Sequence, residues 1–538
     1  MKKISLLSIL MVNIFLAIVL NVILFTAQRL FTTPFPAFGL FDLVSRSLDG
    51  RILTFGIDSM IGVIRFLHLG RTDTAAKLAE QLMAAGLLFV LVFLSGLVYW
   101  LLMRRLAARP SRRRSLISGL ILGLVIGLPI SAVAISFDRA STVQPIFSVV
   151  WLFIAFIVWG AAQGYSYHTL LPKEQLADQL SAANLSMQGI DRRTFLIRLG
   201  GATALITVIG AGLSHYLVDN TSSVAPSSDG ASNLPNANDP LIPAPGTRPE
   251  YTRAKDHYRI DINAVPPNVE AATYKLDING LVENPVQITL AEIQQNYASV
   301  DQYITMSCIS NDIGGDLIST TRWTGTSMQH ILDLVKPKPE ATYIKILAAD
   351  GFDEVVAVDA IRQDERIMLA YAWDGEPLTT AHGFPLRIHI PDHYGMKQPK
   401  WITSMEFIDS WQPGYWVRRS WDREARVKAV SVVDTVAVKN VIDGKLVPIG
   451  GIAWAGARGI SRVEVKVDEG TWQQAQLRAP LSDKTWVIWR YDWPFTSGDH
   501  SFTVRCFESD GTPQIEALAT SHPSGATGLQ SLKATING

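Results

Sequence analysis

Five apolar runs, at 4–27, 82–103, 115–137, 145–164 and 194–217, the last carrying Arg198 near its start, dominate the first part of this chain. Each is close to the ~20 residues that a helix needs to cross the hydrocarbon core of a bilayer. In lipid a backbone must satisfy its own hydrogen bonds, so these runs admit only helices. The first follows Lys2 and Lys3 and lacks a clear small-residue cleavage site, and further spans follow it, so it reads as a span and not a signal peptide. A sixth apolar stretch, 52–69, carries Asp58 and Arg65. Charges at mid-bilayer are costly, so it reads as an interfacial or re-entrant helix.

Orientation follows from the loop at 104–114, RRLAARPSRRR, whose arginines place it in the cytoplasm. Five spans then set the N-terminus inside and everything after 217 outside. The outer loop 28–81 also carries arginines, but these alternate with acidic residues.

The 538 residues are enough for three or four domains. The chain is 48% hydrophobic with a mean hydropathy of +0.19, and the excess lies in the spans. Net charge is zero, so nothing points to nucleic acid. The two cysteines, Cys308 and Cys506, exclude a disulfide scaffold and a cysteine-ligated iron–sulfur cluster. No Cys-x-x-Cys-His haem motif occurs, and His68, His168 and His215 sit at or beyond span ends, not paired across helices.

The expected partition is a transmembrane helical region at 1–218, a flexible Ser/Pro/Asn-rich tether at 219–250, an α+β domain at 251–425 and a β-sandwich of immunoglobulin-like type at 426–538. Within the α+β domain, TYKLDINGLV, YIKILAA and LRIHIP read as strands, and LAEIQQNY and TSMQHILDLV as short amphipathic helices. Beyond 426 strand patterns recur between Gly and Asp turns, and Cys506 in FTVRCF reads as a core residue.

One stretch carries chemistry. TMSCISNDIGGDLISTTRWTG (305–325) sets Cys308 after a short apolar-polar strand, then a glycine turn, then Arg322 and Trp323. A thiolate is a strong ligand for a soft transition metal, although a lone cysteine is more often a small core residue. Together with LAYAWDGEPLTTAHGFPLRIHIP (369–391) and YGMKQPKW (394–401), the stretch resembles the sulfite oxidase family of molybdopterin enzymes over roughly residues 251–535.

That resemblance implies a molybdenum–molybdopterin cofactor with Cys308 as its metal ligand. It implies a pocket formed by Tyr258, Arg259, Arg322, Trp323, His382, Arg387, Lys397, Gln398, Lys400 and Trp401, with Cys308, Trp421 and Arg418 acting on substrate. It also implies that the last domain is of dimerisation type, giving a homodimer. A zinc site at His382, His389 and His393 is the competing metal reading, but the spacing fits no helical pair.

The pattern departs from sulfite oxidases at the substrate. Asp261, Asn311 and Asp312 stand where that family places cationic or other recognition groups, and Trp421 replaces a tyrosine. Sulfite is a dianion and needs cations, which leaves Arg418 and Arg419 as the remaining candidates. The expected function is two-electron oxygen-atom transfer on a small non-sulfite substrate, such as a sulfoxide or N-oxide. The alternatives are a true sulfite oxidase and a non-catalytic binding module on the same fold. Electrons would pass through a separate carrier, a haem protein or a quinone-linked membrane partner. DRRTFL (191–196), ahead of the last span, resembles a twin-arginine signal, which implies export of the folded, cofactor-loaded domain through that machinery. The expected location is the inner membrane, multi-pass, with the catalytic domain extracytoplasmic.

Overall fold

A computed structural model describes residues 4–48, 50–67, 70–106, 110–137, 140–141, 143–171, 192–221 and 234–536. Asp191 of the DRRTFL motif, three residues of the arginine loop (107–109) and part of the expected tether (222–233) lie outside them. The chain forms two compact units. The first is Met1–Leu48, Lys77–Ala225 and Asn263–Asn268, and the second is Asp49–Ala76, Pro226–Ile262 and Val269–Gly538.

Seven helices come first: α1 (Leu6–Phe31), α2 (Pro36–Ser47), α3 (Gly50–Phe66), α4 (Thr72–Leu106), α5 (Arg112–Phe137), α6 (Pro145–Leu170) and α7 (Arg192–Thr221). Five of them, α1, α4, α5, α6 and α7, are long and apolar enough to cross a membrane. Their bounds exceed the apolar runs because helices continue into polar turns. α4 starts at Thr72 and not at 82, and its Lys77 binds Glu80 at 2.8 Å and the Asn263 carbonyl at 3.0 Å. α3 is helical as expected, but it falls within the second unit, where a methyl at Gly50 would lie 2.6 Å from Arg419 Cα.

Polar and small residues join the helices of the first unit. Asn13 of α1 accepts from Gln163 of α6 (3.0 Å), and Gln163 accepts from Trp100 Nε1 of α4 (2.8 Å). This closed network replaces the absent hydrophobic drive between helices in lipid. α5 and α6 meet through glycine: a methyl at Gly119 would fall on the carbonyl of Gly160, and one at Gly123 would lie 2.5 Å from Phe156 O. Toward the C-terminal end of α5, a methyl at Gly39 of α2 would lie 3.0 Å from Ala134 Cα.

The second unit is built on four sheets. Its first part has β1 (Lys275–Gly280), β2 (Val286–Thr289), β3 (Val300–Ser307), β4 (Ile318–Ser327), β5 (Tyr343–Ala348), β6 (Asp353–Ala357), β7 (Met368–Trp373), β8 (Glu376–Pro377), β9 (Arg387–His389) and β10 (Ile402–Ile408). One sheet runs β2-β1-β10-β5-β6, with β1 and β10 parallel; the other runs β3-β4-β7-β8, with β9 also paired to β7. Helices α8 (Leu290–Asn296), α9 (Met328–Val335) and α10 (Val358–Gln363) pack on the first sheet. α8 begins in a Thr289/Glu292 capping box, which explains its sharp start. Leu276, Ile278, Ile331, Ile344, Met405 and Phe407 fill the core between.

The last part has β11 (Val430–Val436), β12 (Leu446–Trp454), β13 (Ile460–Val467), β14 (Gln473–Gln474), β15 (Gln476–Leu477), β16 (Val487–Pro494), β17 (Gly498–Glu508) and β18 (Gln530–Ile536). They form two four-stranded antiparallel sheets, β11-β12-β16-β15 and β14-β13-β17-β18, around Val447, Val463, Trp489, Phe502 and Cys506. Cys308 and Cys506 are both free thiols.

The tether expectation needs correction where the chain is described. Residues 234–250 are irregular but pinned to these sheets: Arg248 Nη2 binds Asp434 at 2.7 Å, and Arg478 Nε binds Glu250 at 3.0 Å. Asn236 donates to Glu250 and to Ala479 O. Low apolar content predicted looseness, and ion pairs supply the anchoring that apolar burial does not.

Candidate functional site

Cys308 follows directly on β3, and the turn after it is closed by hydrogen bonds at its base. The Cys308 amide donates to Leu317 O (3.0 Å), Asn311 N donates to Cys308 O (3.1 Å), and Leu317 N donates to Asn311 Oδ1 (3.0 Å). Asn311, in a position expected to face substrate, therefore holds the cysteine turn shut. Gly314 at φ +79 supplies the reversal that a side chain would strain.

Cys308 Sγ lies 3.0 Å from Ser310 Oγ. Burial pushes the thiol pKa up, against the hydrogen bonds from Ser310 and Ile309 that favour the thiolate. Tyr258 is near enough to feel that charge: burial, then Cys308, raises its phenol well above the ordinary value. Tyr394 is pushed up to about 12, chiefly by burial. Both phenols therefore keep their protons at neutral pH.

Beside Cys308 lies a buried aromatic and cationic cluster. The chain at 252–258 is fixed along β4, with Thr252 N donating to Thr320 O (2.6 Å) and Tyr258 N to Ser319 Oγ (3.0 Å). That sets the His257 ring 5.5 Å from Trp323, 5.7 Å from Trp373 and 5.3 Å from His382, centroid to centroid. Arg387 on β9 lies over Trp323 at 4.8 Å and donates to His382 O at 3.2 Å. Burial lowers its pKa to about 10, so it stays charged. Among the described residues no carboxylate pairs with it. Lys400 and Arg259 share Asp261, at 3.1 and 2.8 Å, and Lys400 also donates to Ala381 O. Burial draws Lys400 down to about 8, opposed by Asp261. Trp401 lies beneath Lys400 at 4.3 Å and donates to Thr380 O at 2.7 Å.

Tyr258, Arg259, Trp323, His382, Arg387, Lys400 and Trp401 are thus brought together near Cys308. Other residues picked from the sequence are placed elsewhere. Arg322 is adjacent to Trp323 on β4, so strand alternation turns it to the opposite face. Lys397 binds Glu354 at 2.7 Å in the interior, and Gln398 holds His389 Nδ1 at 2.7 Å. Arg418 is paired with Asp353 (2.8 Å), and Arg419 lies on the Tyr415 ring at 3.7 Å. Trp421 packs with Ile309 and Tyr394 in a separate apolar cluster, its ring edge against His522. His257, Trp373 and Tyr394 were missed. All three lie inside or beside stretches singled out for other residues; Trp373 is placed by the register of β7, and His257 and Tyr394 by the packing of irregular segments.

The cluster is chemically incomplete in a specific way. His257 Nδ1 donates to Tyr258 O (3.0 Å), so Nε2 is a lone-pair acceptor, and it has no partner. The buried Trp323 Nε1 donor is likewise unpartnered. An orphaned donor, an orphaned acceptor and a buried unpaired guanidinium suit a group with a heteroaromatic edge and an anionic arm, which a pterin phosphate has. Molybdopterin fits these residues, with Arg387, and Lys400 and Arg259 sharing one carboxylate, available to the phosphate.

Residues 262–416 match the family described as the oxidoreductase molybdopterin binding domain. The mitochondrial sulfite oxidase of Macaca fascicularis is 25% identical over 287 residues, covering 45% of this chain and 52% of that protein. The NADPH nitrate reductase of Aspergillus niger is 27% identical over 280 residues, covering 43% of this chain and 32% of that protein. The chain therefore spans about half the length of the sulfite oxidase it matches. The sulfane dehydrogenase SoxCD of Paracoccus pantotrophus aligns with a TM-score of 0.46 at 19% identity, over 55% of this chain and 86% of that one.

Proposed function

Residues 262–416 are a molybdopterin-binding oxidoreductase domain of the sulfite oxidase-like family, and from that premise we propose a membrane-held, extracytoplasmic enzyme of two-electron oxygen-atom transfer. Its substrate is a small neutral or zwitterionic oxo compound, such as a sulfoxide or N-oxide. The observation that carries this reading is that Cys308 has the Ser310 hydroxyl and two phenols that keep their protons, Tyr258 and Tyr394, among its neighbours, while the nearby cations Arg259, Arg387 and Lys400 are taken up by the cofactor phosphate in this reading. The arginines left to recognise a dianion, Arg418 and Arg419, are engaged by Asp353 and Tyr415. Asp261 itself is not the repulsive element that its sequence position suggested, because Arg259 and Lys400 both bind it.

The cofactor, when bound, supplies the two-electron redox change and the exchangeable oxo group. Cys308 would hold the metal through its sulfur; burial opposes a free thiolate there, against the hydrogen bonds from Ser310 and Ile309. Tyr258 keeps its proton on Oη and so can donate a hydrogen bond to a substrate oxygen. Trp323, Trp373 and the buried histidines exclude water from the cofactor side.

The five long apolar helices support insertion in the inner membrane with the arginine loop inside. Reporter fusions after 217 should be active only outside, and fusions in 104–114 only inside. Arg192 and Arg193 would serve twin-arginine export, and the last two sheets an immunoglobulin-like, dimer-forming domain. The test of substrate is a steady-state comparison of sulfite with a sulfoxide panel, using an artificial electron donor or acceptor, on protein of known molybdenum content. Efficient sulfite oxidation with a submillimolar Michaelis constant overturns the reading.

A further inference from the structure

The first unit contains a small cleft, partly open to solvent, where the last turns of α1 and α5 meet the start of α2 and residues 263–265. Its walls are aromatic: Phe35, Phe38 and Phe137. Three buried polar atoms that line it have no hydrogen-bond partner, namely Gln28 Oε1, Thr33 Oγ1 and Asn263 Nδ2. Thr33 is 9% exposed and Asn263 3%. The Asn263 amide is oriented unambiguously, because Arg46 Nη2, which can only donate, lies 3.1 Å from Oδ1. The Nδ2 donor is therefore the end left unsatisfied. Orphaned donors and acceptors at such burial are costly unless a ligand meets them.

We propose that this cleft binds the ring of a membrane-soluble quinone. Thr33 and Asn263 donate to the carbonyl oxygens of the quinone, Gln28 accepts from a hydroxyl of the quinol, and the phenylalanines supply apolar contact to the ring. The cleft lies at the ends of helices long enough to cross a bilayer, the level at which a lipid-borne ring meets polar groups. Arg46 is 4.0 Å from Asp42, so the described lining offers no net positive charge to a phosphate headgroup.

The redox role rests on the sulfoxide reading above. The quinol would give up two electrons and two protons, and the sulfoxide would take up two electrons and two protons to become sulfide and water, with the bound cofactor supplying the redox couple between them. The sum is quinol plus sulfoxide giving quinone plus sulfide plus water.

The test uses the full-length protein in lipid nanodiscs with a short-chain azidoquinone as photolabel. Label is expected in peptides covering 28–42 or 263–265, displaced by short-chain ubiquinone and menaquinone analogues. Thr33→Val with Asn263→Leu should weaken labelling about tenfold, whereas Thr33→Ser retains it. If the double variant does not fold, Gln28→Leu is read in the same way. Label confined to other peptides, label indifferent to these substitutions, or label displaced by phosphatidylglycerol and not by quinone analogues overturns the proposal. Sulfoxide reduction with a water-soluble artificial donor, measured on the same preparation, should be unchanged in the variants. Its absence in the wild type with labelling intact sinks the substrate reading and leaves the quinone site standing.

Discussion

Lys397 Nζ lies 2.7 Å from Glu354 Oε1, with both side chains in the interior of the second unit. Burial pushes the Glu354 carboxyl up, and Lys397 is the group that opposes this. Lys397 thus completes an ion pair inside the domain and is not turned toward the cofactor cluster. Lys397→Met should destabilise the domain by ~3–5 kcal/mol, the cost of a buried charge without its partner. Adding Glu354→Gln should recover most of that. Denaturant unfolding of both variants checks the pair, and molybdenum per folded chain should stay unchanged.

Arg387→Met separates stability from cofactor retention. The guanidinium is 4% exposed and meets a carbonyl, a thioether and a ring. Removing a buried charge that has no carboxylate partner should leave the cofactor-free protein as stable or more so. Retention of the pterin should nonetheless fall about 10–150-fold, as for the loss of a charge-assisted bond of ~1.5–3 kcal/mol. Thermal unfolding and cofactor extraction on the same samples give the two numbers.

Cys308→Ser should fold and lose turnover. The backbone of Cys308 and the Asn311 side chain close the turn, and none of those bonds uses the sulfur. Circular dichroism should match wild type while artificial-donor activity disappears. Full activity in the serine variant would remove Cys308 from the metal.

These predictions show how far the sequence reads. The spans were legible because bilayer thickness dictates their length directly. Their true ends were not, since Lys77 and Glu80 extend α4 through contacts far along the chain. The cluster of Trp323, His382, Arg387 and Lys400 was legible as a resemblance. The diversion of Lys397 to Glu354 and of Arg418 to Asp353 was not, because both partners lie on β6 and meet them only through tertiary pairing. The Arg322 position was open to correction from sequence alone: neighbours on a strand face opposite ways.

His389 sets a pH dependence. Burial holds its folded pKa near 3, against an ordinary value of 6.5, with Gln398 pulling the other way. Below pH 6.5 the unfolded chain takes up a proton that the folded one refuses. Stability from this residue is therefore complete above 6.5 and falls by about 1.4 kcal/mol per unit as pH drops toward 3. His389→Gln should flatten that slope, read by urea unfolding across pH 4–7.

The glycine contacts of α5 and α6 set a mechanical condition on everything framed by those helices. Gly119 and Gly123 bring backbone against backbone across the pair, and Gly39 of α2 does the same nearer the C-terminal end of α5. A stack spaced by main-chain atoms has no compliant layer of side chains to absorb a displacement. α5 therefore acts as a rigid strut, and Phe137 at its end is carried at a fixed gauge. A methyl added at Gly119 would act as a wedge some distance away, shifting that end without touching anything near it.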